Sequence, residues 1–175
     1  MTDLGSPSQQ SPPPGEVARP VAVVDIDGVV ADVRHRLHLI EQPVKNWAGF
    51  FAASLEDPPL PEGLALVLAL RHDHDVVWLT GRPEHTRANT ETWLARHGLP
   101  TAPLLMRADD DRRPARQGKR DVVRDLSTRR RIAIIIDDDP SVVRHLAEAG
   151  FQVRLAEWLP HSSTLRSAQE RLGRP

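Results

Sequence analysis

The sequence predicts an α/β fold in which helices cover both faces of a parallel β-sheet. Apolar runs typical of buried parallel strands alternate along the chain with segments whose apolar residues recur at helical spacing. Three of the apolar runs end in polar side chains, at Asp25, at Thr80 and at Asp137. Because the carboxyl ends of parallel strands meet at one edge of a sheet, where ligands bind, we expect these side chains to form a functional site.

Composition limits the classes of function that the chain can have. It has 175 residues, a formal charge of −1 and no cysteine. This length suits one domain, and the charge disfavours a protein that coats duplex DNA electrostatically. The lack of cysteine excludes a disulfide framework, a thiolate nucleophile and a zinc–cysteine site. No apolar run approaches the roughly 18 residues of a membrane span, and no signal peptide is present, so we expect a soluble cytoplasmic protein without a membrane partner.

The chain divides into one folded domain between two tails. Residues 1–19 are rich in Ser and Pro with few apolar groups, a composition typical of disorder. We therefore place the domain at 20–159 and a second tail at 160–175. The first strand is predicted at about 20–26, and the aromatic content of 32–63 indicates a short helical insertion after it rather than a plain loop.

Turn residues and periodicity place the later elements. Pro83 suits the first turn of a helix that ends before Gly98 and turns Trp93 inward, and Asp139 can cap a helix that begins at the next residue. Strands alternating with helices predict a three-layer, Rossmann-like sheet with right-handed crossovers. In order, we expect a helix from 62, a strand at 76–80, a helix at 84–97, a strand at 104–106, a polar loop at 107–118, a helix at 119–126, a strand at 131–136, a helix from 140 and a strand at 152–155.

Two carboxylates one residue apart follow the first strand. Asp25 and Asp27 can converge on one pocket because Gly28 lets the chain turn at once. Converging carboxylates repel unless something lies between them, so the pair implies a divalent cation, a shared proton or two distinct catalytic roles. A strand end covered by two solvated acids is the simpler alternative.

The polar strand ends together describe a phosphoryl-transfer site. Oxygen ligands from Asp25 and from the Asp137–Asp138 pair suit Mg²⁺, which binds a few carboxylates together with water and substrate phosphate. Thr80 and Lys119 can hold phosphoryl oxygens and offset the charge that develops on them. Lys119 is one of only two lysines in an arginine-rich chain, which favours a need for lysine itself.

The order of these motifs resembles the haloacid dehalogenase superfamily over about residues 20–155. The resemblance rests on Asp-x-Asp-Gly, a strand-terminal Thr, a lone Lys and a strand-terminal Asp-Asp. It implies a haloacid dehalogenase-like fold in which Asp25 is the nucleophile that forms an aspartyl-phosphate. Asp27 would protonate the leaving oxygen and then activate water. The metal would be held by Asp25, by the main-chain carbonyl of Asp27 and by Asp138, with Asp137 in support.

A second set of motifs resembles the 3′-phosphatase domain of bacteriophage-type polynucleotide kinase. By this resemblance Arg36 and Arg82 assist the reaction. One position departs from the family, which usually carries an acid two residues after the equivalent of Arg113, where this chain has Ala115. The resemblance places Thr80, Gly81, Arg82 and Lys119 around the substrate phosphate. The motifs are Thr80-Gly-Arg-Pro, Thr92-Trp-Leu, Met106-Arg, Asp111-Arg-Arg and Ile136-Asp-Asp.

The leading hypothesis is a Mg²⁺-dependent phosphomonoesterase whose substrates are nucleic-acid ends with a 3′-phosphate. Residues 107–131 hold ten basic and five acidic residues and could contact a phosphate backbone. The nearest alternative is a phosphatase of small metabolites or nucleotides, since the short insertion says little about the leaving group. A non-catalytic interaction domain is the third hypothesis, which the intact set of polar motif residues disfavours.

Overall fold

A five-stranded parallel sheet lies at the centre of the structure, and its strands, counted along the chain, lie in the order third, second, first, fourth, fifth. The computed structural model describes residues 18–159, together with Thr164 and Ser167. Most of both predicted tails therefore lies outside the described residues. The strands are β1 (Val21–Val24), β2 (Asp75–Pro83), β3 (Leu104–Arg107), β4 (Ile132–Asp137) and β5 (Val153–Leu155).

Helices pack on both faces of this sheet. Side chains alternate along a strand, so Val77 and Leu79 pack with the helices at Ala115–Ser127 and Pro140–Glu148. Trp78 packs on the opposite face with the helices at Pro61–Leu70 and Arg87–Arg96. No helix in the described part of the chain combines the length and the apolar character that crossing a membrane requires. The predicted three-layer α/β fold is confirmed. The helices are α1 (His38–Glu41), α2 (Trp47–Ala52), α3 (Pro61–Leu70), α4 (Arg87–Arg96), α5 (Ala115–Ser127) and α6 (Pro140–Glu148).

The first strand occupies the middle of the sheet. All four residues of β1 are buried, and β1 pairs with both β2 and β4. Asp25 continues this pairing, because its backbone amide donates to the Ile136 carbonyl at 3.0 Å. The carboxyl end of β1 thus places Asp25 at the centre of the sheet edge, between the ends of two neighbouring strands.

Two predicted boundaries are wrong. Pro83 ends β2, paired with Arg107, and the helix after it starts with a 3₁₀ turn at Glu84–Thr86. The helix predicted from Lys119 begins four residues earlier, at Ala115. The physical reason is that the Pro114 carbonyl accepts from the amides of the third and fourth residues after it, at 3.0 and 3.2 Å. Lys119 therefore lies within α5 rather than at its start.

The predicted helical insertion follows β1 and returns to its own starting point. The Asp32 amide donates to the Pro58 carbonyl at 2.8 Å, and the Leu60 amide donates to the Val30 carbonyl at 2.8 Å. Between these anchors lie α1, α2 and two 3₁₀ turns, Arg34–Arg36 and Ala53–Glu56, packed on an apolar cluster of their own. The insertion is thereby fixed over the carboxyl edge of the sheet. The buried members of its cluster are Val33, Ile40, Phe50 and Phe51.

Candidate active site

A buried lysine joins two aspartates at the carboxyl edge of the sheet. Lys119 Nζ donates to Asp25 Oδ2 at 2.6 Å and to Asp137 Oδ2 at 2.7 Å. Asp25 follows β1, Asp137 ends the neighbouring strand β4, and Lys119 comes from the helix that precedes β4. The sheet order thus brings together three predicted site residues that are far apart in sequence.

The charges of this group are not balanced. Burial raises the pKa of Asp25 well above its ordinary value against the lowering effect of Lys119, and repulsion from Asp137 and Asp138 adds to the rise. Burial likewise raises the pKa of Asp137 to about 6, again against Lys119. Burial lowers the pKa of Lys119, but the attraction of Asp137 and Asp25 exceeds this effect and raises it overall. One lysine does not offset the carboxylates, so a further cation would stabilise them.

Asp138 completes an acidic cluster that fits a divalent cation. Carboxylate oxygens of Asp25, Asp137 and Asp138 all lie within 4.8 Å of one another. Gly28 is required for this approach, because a Cβ at that position would lie 2.1 Å from Asp138 Oδ2 and its φ of +76° also favours glycine. An all-oxygen donor set is the type that hard divalent cations bind.

Asp27 lies apart from this cluster, against two buried arginines. Its Oδ1 accepts from Arg36 Nη2 at 2.9 Å and from Arg82 Nε and Nη2 at 3.0 and 2.6 Å. Burial raises the pKa of Asp27, but the Arg82 and Arg36 guanidinium groups outweigh burial and lower it overall. Oδ2 of Asp27 accepts no hydrogen bond from the residues described, which leaves this oxygen for proton transfer.

A third aspartate, which sequence reasoning missed, holds the two arginines in place. Asp57 accepts from Arg36 Nε at 2.7 Å and Nη2 at 2.8 Å, and from Arg82 Nη2 at 2.8 Å. Its backbone carbonyl also accepts from Trp93 Nε1 at 2.8 Å. Asp57 is 2% exposed and both arginines are fully buried. Burial raises the pKa of Asp57, although the Arg36 guanidinium opposes the rise.

The local sequence hides Asp57, because Glu-Asp-Pro-Pro is a pattern typical of a solvated turn. The role that the family resemblance gives to Arg36 is the observation that could have pointed to Asp57. An arginine that approaches a buried carboxylate must be desolvated, and buried charges need partners. Asp57 is one of five acidic residues in the predicted insertion that could supply such a partner, and the local sequence does not single it out.

Replacement of Asp57 by asparagine is expected to lower both stability and kcat. It leaves two buried guanidinium groups short of one negative charge, and breaking a buried ion pair costs about 3 to 5 kcal/mol. We expect a loss near the lower figure, since the amide oxygen still accepts a hydrogen bond, and a fall in kcat of about tenfold or more as Arg36 and Arg82 shift against Asp27. Chemical denaturation and steady-state kinetics measure both effects.

Glu56→Gln is the matched control for Asp57→Asn. Glu56 is the preceding residue, its side chain is 73% exposed, and its contact with Arg96 is 3.6 Å long. Removal of this surface charge should change the free energy of unfolding by less than about 0.5 kcal/mol and leave kcat near wild type. Equal behaviour of the two variants would contradict the positioning role of Asp57.

A cleft of about 190 Å³ opens beside the lysine. Thr80, Gly81 and Lys119 line it. Thr80 Oγ1 accepts from the Arg82 amide at 3.2 Å, so its hydroxyl hydrogen remains available to a ligand. The Arg82 guanidinium is not part of this wall, because it is buried against Asp27 and Asp57. Ala115, where the resembled family usually has an acid, is buried in the apolar cluster beneath α5.

A family model matches most of the chain. The model is described as the polynucleotide kinase PNKP phosphatase domain, and its match covers residues 19–156. This range includes every strand of the sheet and every residue of the acidic cluster. No curated protein matches the sequence.

Solved structures share the fold at low sequence identity. Two chains from Pnkp1/Rnl/Hen1 complexes, one described as an RNA repair complex, are 18% and 19% identical with TM-scores of 0.63 and 0.66. The matches cover 87% and 82% of this chain but 47% and 48% of those chains, so this chain spans about half their length. A haloacid dehalogenase-like hydrolase from Streptococcus pneumoniae is 14% identical with a TM-score of 0.60, covering 87% of this chain and 91% of that one. At these identities the likeness shows the fold.

Proposed function

Because the chain belongs to the polynucleotide kinase PNKP phosphatase domain family, we propose that it is a polynucleotide 3′-phosphatase that acts through an aspartyl-phosphate on Asp25. Family membership makes it a phosphoric monoester hydrolase of the haloacid dehalogenase type, with a phosphorylated substrate. The observation that carries the proposal is the buried Lys119 bridge between Asp25 and Asp137, beside an Asp27 held by two arginines. The likeness to chains of an RNA repair complex supports a nucleic-acid substrate.

In the first step a carboxylate oxygen of Asp25 attacks the terminal phosphorus. The Asp25 oxygen–phosphorus bond forms as the bond between phosphorus and the 3′-oxygen breaks, and Asp27 gives its proton to that oxygen. Arg36 and Arg82 favour the ionised form of Asp27 in the free protein. A bound phosphate dianion places negative charge beside Asp27 and raises its pKa, which favours the protonated form that this step requires.

In the second step Asp27 takes a proton from water while the water oxygen attacks the phosphorus of the aspartyl-phosphate. The new oxygen–phosphorus bond forms, the bond to Asp25 breaks, and inorganic phosphate leaves. The lowered pKa of Asp27 keeps its carboxylate ionised, so that it can accept this proton. Lys119 and the Thr80 hydroxyl can donate to the phosphoryl oxygens throughout, since both line the cleft.

We propose Mg²⁺ as the cation of the acidic cluster, held by Asp25, the Asp27 main-chain carbonyl and Asp138. Asp137 supports the site rather than ligating directly, because its two oxygens already accept from Lys119 Nζ at 2.7 Å and from the Asp139 amide at 2.9 Å. When bound, Mg²⁺ supplies positive charge that offsets the phosphoryl oxygens and the unbalanced carboxylates.

The test compares phosphate release from four substrates with Mg²⁺ present. They are an oligonucleotide with a 3′-phosphate, the same oligonucleotide with a 5′-phosphate, a nucleoside 3′-monophosphate and an aryl phosphate. We expect kcat/KM to be at least about tenfold higher for the 3′-phosphorylated strand than for the 5′-phosphorylated strand, a difference of about 1.4 kcal/mol in transition-state stabilisation. Highest activity on the aryl phosphate or on the mononucleotide would favour a metabolite phosphatase.

A further inference from the structure

The basic segment 107–131 offers fewer available charges than its sequence suggests. Arg113 lies 2.7 Å from Asp111 and 2.8 Å from Asp121, and Arg120 lies 3.3 Å from Asp121. Arg129 pairs with Asp125, Arg130 pairs with Asp75, and Lys119 is held in the active site. These ion pairs reduce the charge that Arg113 and Arg120 could present to a nucleic-acid backbone. The surface that contacts a nucleic-acid strand must therefore be identified from its position relative to the catalytic cleft rather than from the number of arginines.

One basic groove lies between α5 and α6, outside the catalytic cleft. It has a volume of about 370 Å³ and is lined by Arg116, Ser141, Arg144, His145 and Glu148. Arg144 is exposed and pairs with no carboxylate among the residues that the structure describes. The charged residues that line the groove are thus two arginines and one glutamate. Their net positive charge attracts an anion.

His145, which lines this groove, has a buried nitrogen without a partner among the described residues. The Nε2 atom of His145 is buried and forms no hydrogen bond within the described part of the chain. Such an atom costs free energy unless a ligand or water satisfies it. Together with two guanidinium groups and the Ser141 side chain, the imidazole forms a set of groups that commonly contact phosphate oxygens.

The groove begins beside the catalytic centre. Arg116 lies three residues before Lys119 on α5, close to one helical turn, and Ser141 follows Asp137 and Asp138 by a few residues at the start of α6. The first turn of α5 therefore separates the groove from the cleft that holds Thr80 and Lys119. A nucleic-acid strand whose terminal phosphate occupies the cleft can therefore place a phosphate farther along its backbone in the groove.

We propose that this α5–α6 groove binds an internal phosphodiester of the substrate strand and makes the enzyme prefer polynucleotides to mononucleotides. The inference rests on the proposed function and adds a second phosphate contact to it. Arg116 and Arg144 supply the charge, and a rotation of the His145 side chain would let Nε2, which is buried, donate to a phosphate oxygen when it carries the hydrogen. Glu148 opposes binding from the same groove, so two neighbouring substitutions have effects of opposite sign.

The experiment measures KM for a 3′-phosphorylated octanucleotide and for a nucleoside 3′-monophosphate in the full chain. Arg144→Glu should raise the KM ratio of octanucleotide to mononucleotide by about tenfold, since it removes one contact and adds repulsion. It should also reduce the slope of log KM against log salt concentration for the octanucleotide by about one. Glu148→Gln should lower the same KM ratio.

Arg71→Glu is the matched charge control. Arg71 follows α3 and precedes β2, which places it at the opposite edge of the sheet. We expect it to leave the KM ratio and the salt slope near wild type. The groove assignment would be overturned if Arg144→Glu still hydrolysed the 3′-phosphate but left the KM ratio unchanged. It would also be overturned if Arg71→Glu changed the KM ratio as much as Arg144→Glu does. Failure to hydrolyse any 3′-phosphorylated strand would instead overturn the proposed function.

Discussion

Replacement of Asp25 by asparagine is expected to lower kcat by roughly a thousandfold or more while leaving the fold intact. An amide of nearly the same shape cannot attack phosphorus, so no aspartyl-phosphate can form. The side chain is buried and accepts from the Ile26 amide at 2.8 Å, a contact that an amide oxygen can retain. Phosphate release from a 3′-phosphorylated oligonucleotide under saturating Mg²⁺ measures the loss.

Thermal unfolding separates this catalytic effect from misfolding. Because burial and the neighbouring carboxylates raise the pKa of Asp25, its negative charge costs stability in the metal-free protein. The uncharged asparagine should therefore leave the metal-free unfolding temperature equal to wild type or higher. A variant that keeps this stability and retains activity within tenfold of wild type would exclude Asp25 as the nucleophile.

Replacement of Asp138 by alanine is expected to abolish activity or to raise the required Mg²⁺ concentration by about a hundredfold. The change removes one of three carboxylates from the cluster, and metal sites depend steeply on ligand charge and number. EDTA should abolish the activity of the wild-type enzyme, and added Mg²⁺ should restore it.

The affinity for the metal should increase as pH is raised through about 6. The reason is that the Asp137 carboxyl, whose pKa is raised to about 6, releases its proton there, and its negative charge then favours binding of the cation.

Gly28→Ala tests the same site without removing a ligand. A Cβ at Gly28 would meet Asp138 Oδ2 at 2.1 Å, so the carboxylate must move. We expect this variant also to require a higher Mg²⁺ concentration than the wild type. High Mg²⁺ should restore part of the kcat of Gly28→Ala and a smaller part of the kcat of Asp138→Ala. Full activity of Asp138→Ala in EDTA would contradict the metal-dependent account.

Much of the site could be predicted because it lies where strands end. Val21–Val24 and Ile132–Asp137 are apolar runs that only a buried parallel strand explains well, and parallel strands place their carboxyl ends at one edge. The sequence therefore predicts that Asp25, Thr80 and Asp137 meet without any knowledge of strand order. Lys119 could be chosen by its rarity, although its place within α5 could not.

The contacts that depend on the insertion could not be predicted in the same way. Asp57 reaches the arginines only because the insertion closes on itself at residues 32 and 58, which no local pattern encodes. Pairing between charged side chains is equally hidden. Arg113 looks like any other arginine in sequence, yet its guanidinium lies between two aspartates.

Rapid acid quenching of a single turnover shows whether the phosphoryl group passes through Asp25, with a nucleic-acid strand radiolabelled in its 3′-phosphate. Asp27→Asn lacks the acid of the first step as well as the base of the second, so this variant is given a radiolabelled aryl phosphate, whose leaving group needs little protonation. Slower hydrolysis of the intermediate should then accumulate label on the protein. We expect stoichiometric label in the peptide that contains Asp25, released by hydroxylamine and absent from Asp25→Asn. Release of phosphate from the strand by the wild type, and from the aryl phosphate by Asp27→Asn, without label on the chain at any quench time would exclude an aspartyl-phosphate on Asp25.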